Sequence, residues 1–289
     1  MEYKINTTEL ISGVTLDAER ALYGSRALKV KDCRFDGPAD GESAIKECAD
    51  IITENCYFNL RYPFWHVDGL EIVGCEMTEL CRAALWYTEH ARIRGSVLHG
   101  IKALRECADI TIENCDIVSA EFGWSVDGAK VSDTVAQGEY FFMRSRELSF
   151  KRVRFKGKYS FQYVENAVFE DCELDTKDAF WHAKNVTLKN CTVKGEYLGW
   201  YSENLTMINC KISGTQPLCY CKGLKIIGCT MDGADLSFEK SEVEATVLSP
   251  MISIKNPISG SITVPSLADG LILEYETDCR ICIGGEVLP

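Results

Sequence analysis

The chain has 289 residues, of which 46% are hydrophobic and 26% charged, a composition that excludes an intrinsically disordered protein. Acidic residues outnumber basic ones, 43 to 31, and the net charge of −12 disfavours nucleic acid and anionic membranes as partners. No apolar run approaches the roughly 18 residues of a membrane-spanning helix, so we expect no membrane partner.

The cysteines and the N-terminus indicate a reducing compartment. The N-terminal residues MEYKINTTELISG lack the basic and apolar segments of a secretory signal. The 15 cysteines are an odd number, and most lie within apolar strand patterns, where a free thiol behaves as a small hydrophobic group. We therefore expect reduced cysteines and a cytoplasmic location. We expect no cofactor and no metal, because the four histidines show no metal-ligand spacing within one strand.

The middle of the chain repeats one template with a short period. Segments such as DITIENCDI, NVTLKNCTV and NLTMINCKI align on a central position that is most often cysteine. This position, the Cys column, comprises Cys33, Cys56, Cys75, Ser96, Cys115, Thr134, Val153, Cys172, Cys191, Cys210, Cys229 and Leu248. From Cys115 onward its members are 19 residues apart. Such a period is typical of a solenoid, in which each repeat buries its apolar face against the next.

Each repeat consists of short predicted strands separated by bends. Apolar and polar residues alternate with period two, as at Leu205 and Met207, until a residue type that tolerates a left-handed backbone interrupts the pattern. These interruptions are Asn55, Gly74, Gly95, Asn114, Asp133, Asp171, Asn190, Asn209 and Gly228. A second corner, the corner column, precedes the first strand at Asp50, Gly69, Asp109, Gly128, Asn166, Asn185, Asn204 and Gly223. Its three successive asparagines predict a ladder of stacked amides.

Two architectures fit this pattern, a β-helix and a leucine-rich repeat. The second half of each repeat reads YLGWYSEN or SFQYVEN, which indicates short aromatic strands and argues against the leucine-rich repeat. The sequence therefore predicts an all-β fold, a single-stranded right-handed parallel β-helix of about eleven coils with a 19-residue period. We expect one domain over residues 1–289, with an N-terminal cap at 1–22, regular coils at 23–248 and C-terminal capping strands at 249–289.

The tandem units of the type N-φ-T-φ-x-N-C, where φ is an apolar residue, resemble those of pectate-lyase-like right-handed β-helix proteins. In particular, the chain resembles an uncharacterised bacterial family of that superfamily, a domain of unknown function, over about residues 23–248. The resemblance implies the fold. It implies no single activity, because the superfamily includes lyases, hydrolases, isomerases, adhesins and non-enzymatic scaffolds.

Two further columns carry the aromatic residues. The Trp column lies ten residues before the Cys column and comprises Trp65, Trp86, Arg105, Trp124, Met143, Gln162, Trp181, Trp200, Cys219 and Phe238. The next position, the His/Tyr column, comprises His66, Tyr87, Glu106, Ser125, Arg144, Tyr163, His182, Tyr201, Tyr220 and Glu239. Two residues further on, the flanking column comprises Asp68, Glu89, Asp127, Arg146, Glu165, Lys184, Glu203 and Lys222. Burial of an Arg or Gln side chain inside a coil costs free energy. We therefore expect the Trp column to lie at a bend, at the edge of the coil or facing outward.

These columns predict a groove for an oligo- or polysaccharide, in which aromatic rings stack on sugars and charged groups bind hydroxyls. The predicted substrate-binding residues are Trp65, His66, Trp86, Tyr87, Trp124, Tyr163, Trp181, His182, Trp200 and Tyr201. The alternative is a non-catalytic scaffold, whose aromatic stripe is a stacked ladder of rings that stabilises the rod. The caps cover this stripe, or a second copy covers it in a homo-oligomer formed through that face or the ends of the helix. Exposure of the tryptophans distinguishes the two hypotheses.

The middle of the rod is the best place for catalysis, although the sequence does not establish an enzyme. Glu106, Asp127, Arg144, Arg146 and Glu165 fall on adjacent coils and are the predicted catalytic residues. Two coils separate Asp127 from Glu165, about 10 Å, which suits inverting hydrolysis by a glycoside hydrolase. A polysaccharide lyase is the other enzymatic possibility, and a surface ion-pair network is the alternative without chemistry.

Overall fold

The computed structural model describes residues 3–37 and 42–287. Within these residues the regular elements are β-strands, and no helix is long and apolar enough to cross a membrane. The chain forms two compact units, Met1–Leu148 and Ser149–Pro289.

The first unit is built from two parallel sheets. Its strands are β1 (Glu9–Ser12), β2 (Arg26–Lys31), β3 (Arg34–Phe35), β4 (Ala49–Glu54), β5 (Tyr57–Phe58), β6 (Asp68–Val73), β7 (Glu76–Met77), β8 (Leu85–Trp86), β9 (Glu89–Arg94), β10 (Val97–Leu98), β11 (Leu104–Arg105), β12 (Ala108–Glu113), β13 (Asp116–Val118), β14 (Asp127–Ser132) and β15 (Val135–Glu139). The long strands pair in the order β1-β2-β4-β6-β9-β12-β14, and the short strands in the order β3-β5-β7-β10-β13-β15. Strands β8 and β11 form a separate pair.

The second unit repeats this arrangement. After β16 (Arg146–Lys151), which spans the boundary in the chain, its strands are β17 (Arg154–Lys158), β18 (Glu165–Glu170), β19 (Glu173–Lys177), β20 (Lys184–Lys189), β21 (Thr192–Lys194), β22 (Thr206–Ile208), β23 (Lys211–Ser213), β24 (Leu224–Cys229), β25 (Glu242–Val247), β26 (Met251–Lys255), β27 (Ser259–Val264), β28 (Leu267–Ile272), β29 (Asp278–Ile283) and β30 (Glu286–Val287). The long strands follow the order β18-β20-β22-β24-β25-β27-β29-β30 and the short ones β17-β19-β21-β23, with β26 paired to β28.

Residues 19 positions apart lie side by side in neighbouring strands. Ile110 pairs with Ala129 in the first unit, and Ala167 pairs with Val186 in the second. These inward side chains are buried. Because strands in a sheet are about 4.8 Å apart, each column of the sequence becomes a column of contacting side chains. The predicted right-handed parallel β-helix is confirmed.

The predicted bends are confirmed as left-handed corners. Asn190 has a φ of 53° and Asn185, in the corner column, also 53°. The predicted amide ladder forms, since Asn185 Nδ2 donates to Asn166 Oδ1 at 3.0 Å and Asn204 Nδ2 donates to Asn185 Oδ1 at 3.0 Å. A short polar side chain thus tolerates the left-handed backbone of the corner and forms a hydrogen bond to the adjacent coil.

The Cys column bonds each coil to its neighbour. The backbone N–H of Cys210 donates to Cys229 Sγ at 3.3 Å, and that of Cys75 donates to Ser96 Oγ at 3.0 Å. This shared acceptor role explains why Ser replaces Cys in the column. The 15 cysteines are free, as expected, and burial raises the pKa of the Cys107 thiol to about 12. The Cys107 thiol is therefore an unreactive packing group.

The aromatic half of the repeat differs from the prediction of short strands. Two coils of the first unit keep that geometry in strands β8 and β11, whereas residues 63–66 of the first unit and 178–182 of the second form turns. In the turn of the second unit Asp178, Phe180 and His182 have φ values of 54°, 59° and 54°. A left-handed residue at every second position curls the backbone too tightly for a strand. The N–H of Asp178 instead donates to Glu196 O of the next coil at 2.9 Å.

The terminal segments predicted as caps carry further coils. Strand β1 pairs in parallel with β2, β27 with β25, and β29 with β27. The β-helix therefore has about 14 turns rather than about eleven. These segments lose the repeat template but keep the alternation of apolar residues that a strand requires. The final strand, β30, pairs antiparallel with β29 and covers its edge.

Candidate functional site

The tryptophans and Arg105 of the Trp column lie half-buried at a corner of the coils, the edge position that the sequence predicted, whereas Gln162, Cys219 and Phe238 are buried. The rings of Trp65 and Trp86 stack with centroids 5.2 Å apart and planes 4° apart. Those of Trp181 and Trp200 stack at 5.4 Å and 6°. Stacked rings cover each other's faces and leave mainly their edges accessible.

Each indole N–H of the Trp column bonds to the following coil. Trp65 Nε1 donates to Ala83 O at 2.6 Å. The same bond joins Trp86 to Lys102 O (2.7 Å), Trp124 to Tyr140 O (2.7 Å), Trp181 to Tyr197 O (2.6 Å) and Trp200 to Gln216 O (2.7 Å). Gln162, which replaces tryptophan in its coil, donates from Nε2 to Asp178 O at 3.0 Å. The column therefore ties successive coils together, which is a structural role.

Arg105 also fits this role. Its Cζ lies 4.8 Å from the ring centroid of Trp86 and 4.5 Å from that of Trp124. Its Nη2 lies 3.1 Å from Glu121 Oε2. A guanidinium between two indoles continues the stack by cation–π attraction, and the carboxylate balances its charge.

The His/Tyr column is the more exposed of the two. Tyr87 is 42% exposed, and Tyr201 43%. Its rings stack in the pairs His66–Tyr87 (4.7 Å), Tyr163–His182 (4.9 Å), His182–Tyr201 (5.0 Å) and Tyr201–Tyr220 (4.8 Å). Each of these residues has a positive φ, so the column follows a left-handed corner. In the second unit it forms a continuous stack of four rings.

Stacking decides which chemistry this column offers. Because the ring faces cover one another, the solvent meets ring edges that carry phenol hydroxyls and imidazole nitrogens. Among the residues that the structure describes, the Tyr201 hydroxyl and the His182 ring nitrogens have no protein partner for a hydrogen bond. The surface therefore suits hydrogen bonding to a ligand rich in hydroxyl groups, and it offers few ring faces for stacking on a sugar.

The flanking column places charges beside the rings. Arg146 Nη2 lies 2.6 Å from Asp127 Oδ2, and Lys184 Nζ lies 3.9 Å from Glu203 Oε2. The hydrogen bond from Arg146 holds the pKa of Asp127 below its usual range. Asp127 is thus ionised at neutral pH, a state that suits a base or an electrostatic role and not a proton donor.

The five predicted catalytic residues divide between the units. Glu106, Asp127, Arg144 and Arg146 are exposed on the first unit, and Glu165 is exposed on the second. The structure brings Asp127 and Arg146 into contact. Inverting hydrolysis also needs an acid with a raised pKa opposite the base. The catalytic role of these residues stays a prediction.

The structure brings together a group of potential metal ligands that the spacing of the four histidines does not reveal. Atoms of Asp68, Glu89 and His90 lie within 4.8 Å of one another. Asp68 and Glu89 occupy paired positions of β6 and β9, and His90 follows Glu89 with a φ of 52°, at the corner that Gly69 occupies in the preceding coil. The signal was present in the sequence, because residues in one column contact each other even when they are far apart in the chain.

A family comparison places the chain. The profile of the family described as "Protein of unknown function (DUF3737)" matches residues 9–283, which is most of the chain. The chain belongs to the DUF3737 family. Among curated proteins, none matches the sequence.

The DUF3737 fold resembles solved structures at low identity. The A-module of mannuronan C-5 epimerase AlgE6 from Azotobacter vinelandii is 9% identical with a TM-score of 0.32, over 97% of this chain and 89% of that one. The periplasmic alginate epimerase AlgG is 10% identical with a TM-score of 0.26, over 90% and 78%. The catalytic domain of a GH87 alpha-1,3-glucanase is 10% identical with a TM-score of 0.29, over 94% and 63%.

Proposed function

We propose that the protein binds an oligo- or polysaccharide along the His/Tyr column of the second unit. The observation that carries this proposal is the four-ring stack of Tyr163, His182, Tyr201 and Tyr220, which exposes polar ring edges one coil apart. Hydroxyls and imidazole nitrogens both donate and accept, as the hydroxyl groups of a sugar require.

The regularity of the stack indicates a linear ligand. Ring centroids follow each other at 4.9, 5.0 and 4.8 Å, so the same hydrogen-bonding group recurs along the column. Beside it the flanking column alternates in sign through Glu165, Lys184, Glu203 and Lys222. The carboxylates accept bonds from sugar hydroxyls, and the lysines offer charge to uronic-acid carboxylates. A polymer with a repeated unit satisfies such a surface better than a single small molecule does.

This proposal gives the two aromatic columns different roles. The Trp column, behind the ring stack, maintains the coils through its indole N–H bonds. Those same bonds favour the alternative function, a non-catalytic scaffold in which both columns serve stability alone.

The test uses the full chain and a panel of neutral and uronic-acid oligosaccharides, with binding measured by isothermal titration calorimetry. Tyr201→Phe keeps the ring stack and removes one exposed hydroxyl. We expect this variant to bind about five- to tenfold more weakly, the value of a net hydrogen bond of roughly 1–1.5 kcal/mol.

Tyr87→Phe is the matched control, because Tyr87 is as exposed as Tyr201 and lies on the first unit. It should bind the saccharide as well as the unchanged chain does. An equal loss of saccharide affinity in both variants would contradict the assignment of the binding site to the second unit. If the unchanged chain binds no member of the panel, the scaffold function replaces the proposal.

A further inference from the structure

The first unit holds two carboxylates side by side on its outer surface. Asp68 of β6 and Glu89 of β9 are direct partners in the parallel sheet. Both residues are exposed, and the Asp68 side chain retains 58% of its accessible surface. The register of the sheet therefore fixes two negative charges on adjacent coils.

This pair departs from the charge pattern of the flanking column elsewhere. Asp127 lies against Arg146, and Glu203 lies between Lys184 and Lys222 as its partners in the sheet. Like charges directly opposite each other destabilise a sheet. Within residues 3–37 and 42–287, no Lys or Arg forms an ion pair with Asp68 or Glu89. The pair thus lacks the Lys or Arg neighbour that Asp127 and Glu203 have.

A histidine completes the group and is held in place. His90 Nδ1 lies 2.8 Å from Asp68 Oδ1. The face of its ring stacks on Tyr3 at 4.4 Å and 14°, and the Tyr3 hydroxyl donates to Asp50 Oδ1 at 3.2 Å. His90 adopts a φ of 52°, the left-handed conformation of this corner, and its ring contacts Asp68 of the flanking column. The imidazole is therefore positioned before any ligand arrives.

We propose that Asp68, Glu89 and His90 bind a divalent transition metal such as Zn²⁺. One imidazole nitrogen and two carboxylate oxygens, whose atoms lie within 4.8 Å of each other, match the three protein ligands of an open zinc site. The metal supplies the positive charge that this part of the column lacks. An imidazole ligand favours Zn²⁺ over Ca²⁺ or Mg²⁺, which prefer oxygen. Tyr3 acts outside the ligand set by orienting the His90 ring.

The test is calorimetric titration of ZnCl₂ into the chelator-treated full chain at neutral pH under reducing conditions, with CaCl₂ in parallel. We expect one equivalent of Zn²⁺ to bind and Ca²⁺ to bind at least tenfold more weakly. His90→Ala should weaken Zn²⁺ binding by 10-fold or more, about the effect of losing one ligand. His182→Ala, which removes an exposed histidine of the second unit, should leave it unchanged.

The variant Glu89→Gln distinguishes the loss of a metal ligand from the loss of the folded structure. Removing one of two adjacent like charges should raise the melting temperature without metal, and it should abolish the further rise that Zn²⁺ causes in the unchanged chain. The proposal is overturned if the unchanged chain binds no Zn²⁺, or if His90→Ala and Glu89→Gln retain full affinity. Equal weakening by His90→Ala and His182→Ala would also overturn it.

Discussion

The corner column keeps one backbone conformation in both units and carries different chemistry in each. In the second unit, Asn166, Asn185 and Asn204 bond to one another through their amides at 3.0 Å. In the first unit, the equivalent corners are Asp50, Gly69, His90, Asp109 and Gly128, all with positive φ. The ladder of neutral amides is replaced there by groups that carry charge or have no side chain.

The two units show that the coil requires a backbone conformation at this corner but does not fix the chemistry of the side chain. A left-handed corner requires only a residue that tolerates positive φ, and Asn, Asp and Gly all do. An amide ladder uses one donor and one acceptor of Asn185 within the protein. Without the ladder, His90 contacts Asp68 and Tyr3 instead. Charged and aromatic side chains therefore gather at the corner of the unit that lacks the ladder.

The largest expected effect concerns a feature that both units share, the Trp column. Trp200→Ala removes the stack on Trp181 and the bond to Gln216 O, and we expect it to lower the free energy of unfolding by about 3 kcal/mol. Urea denaturation followed by circular dichroism measures this loss. Trp200→Phe keeps one aromatic ring and loses the N–H together with the smaller part of the indole, so it should cost less, about 1 kcal/mol. Equal costs for the two variants would show that stacking contributes nothing.

A smaller effect tests the two corners directly. Asn185→Ala removes two hydrogen bonds between side-chain amides and places alanine at a φ of 53°. It should lower the free energy of unfolding by about 2 kcal/mol. Asp109→Ala, at the equivalent corner of the first unit, loses only the conformational preference and should cost about 1 kcal/mol. Thermal unfolding compares the two variants. If Asp109→Ala is the more destabilising, the amide ladder is not a source of stability.

The smallest effect is a dependence on pH. Asp178 is 5% exposed, and burial raises the pKa of its carboxyl. Its ionised form therefore destabilises the folded state, a cost that is present above the folded pKa and disappears as the pH falls below the unfolded value of about 4. Asp178→Asn should stabilise the protein at pH 7 by less than about 1 kcal/mol, and the gain should vanish near pH 3.

The equivalent position of the first unit is the control for this prediction. Glu121 lies 3.1 Å from Arg105 Nη2 and 3.5 Å from Lys102 Nζ. Glu121→Gln loses these attractions and should not stabilise the protein at pH 7. Melting temperatures measured from pH 3 to pH 7 compare the two variants, and a gain in both would show that burial of Asp178 is not the cause.

Much of the fold was predictable, because a solenoid turns a period in the sequence into contacts in space. The Cys column, the left-handed corners and the amide ladder of Asn185 all follow from a spacing of 19 residues. The aromatic turn was not predictable in the same way. Phe180 and His182 adopt positive φ without the Gly or Asn that signals it, since packing of Phe180 in the core overrides local preference.

The candidate site was predictable only in part. The sequence placed His182 and Tyr201 in one exposed column, and it placed Asp127 beside Arg146. It indicated stacking of the rings only through the scaffold alternative, and it did not indicate that His90 contacts Asp68. Both contacts depend on side-chain torsions, and that of His90 depends also on the insertion of two residues that lengthens the coil before Glu89.

By itself, the sequence determined the period, the corners, the inward apolar faces and the columns, because each depends only on residue types and their spacing. The tertiary structure alone decided which part of each ring meets solvent and which charges lack a partner. The distance between adjacent coils brings ring faces into contact, so a column that reads as a row of open aromatic faces presents its polar edges instead.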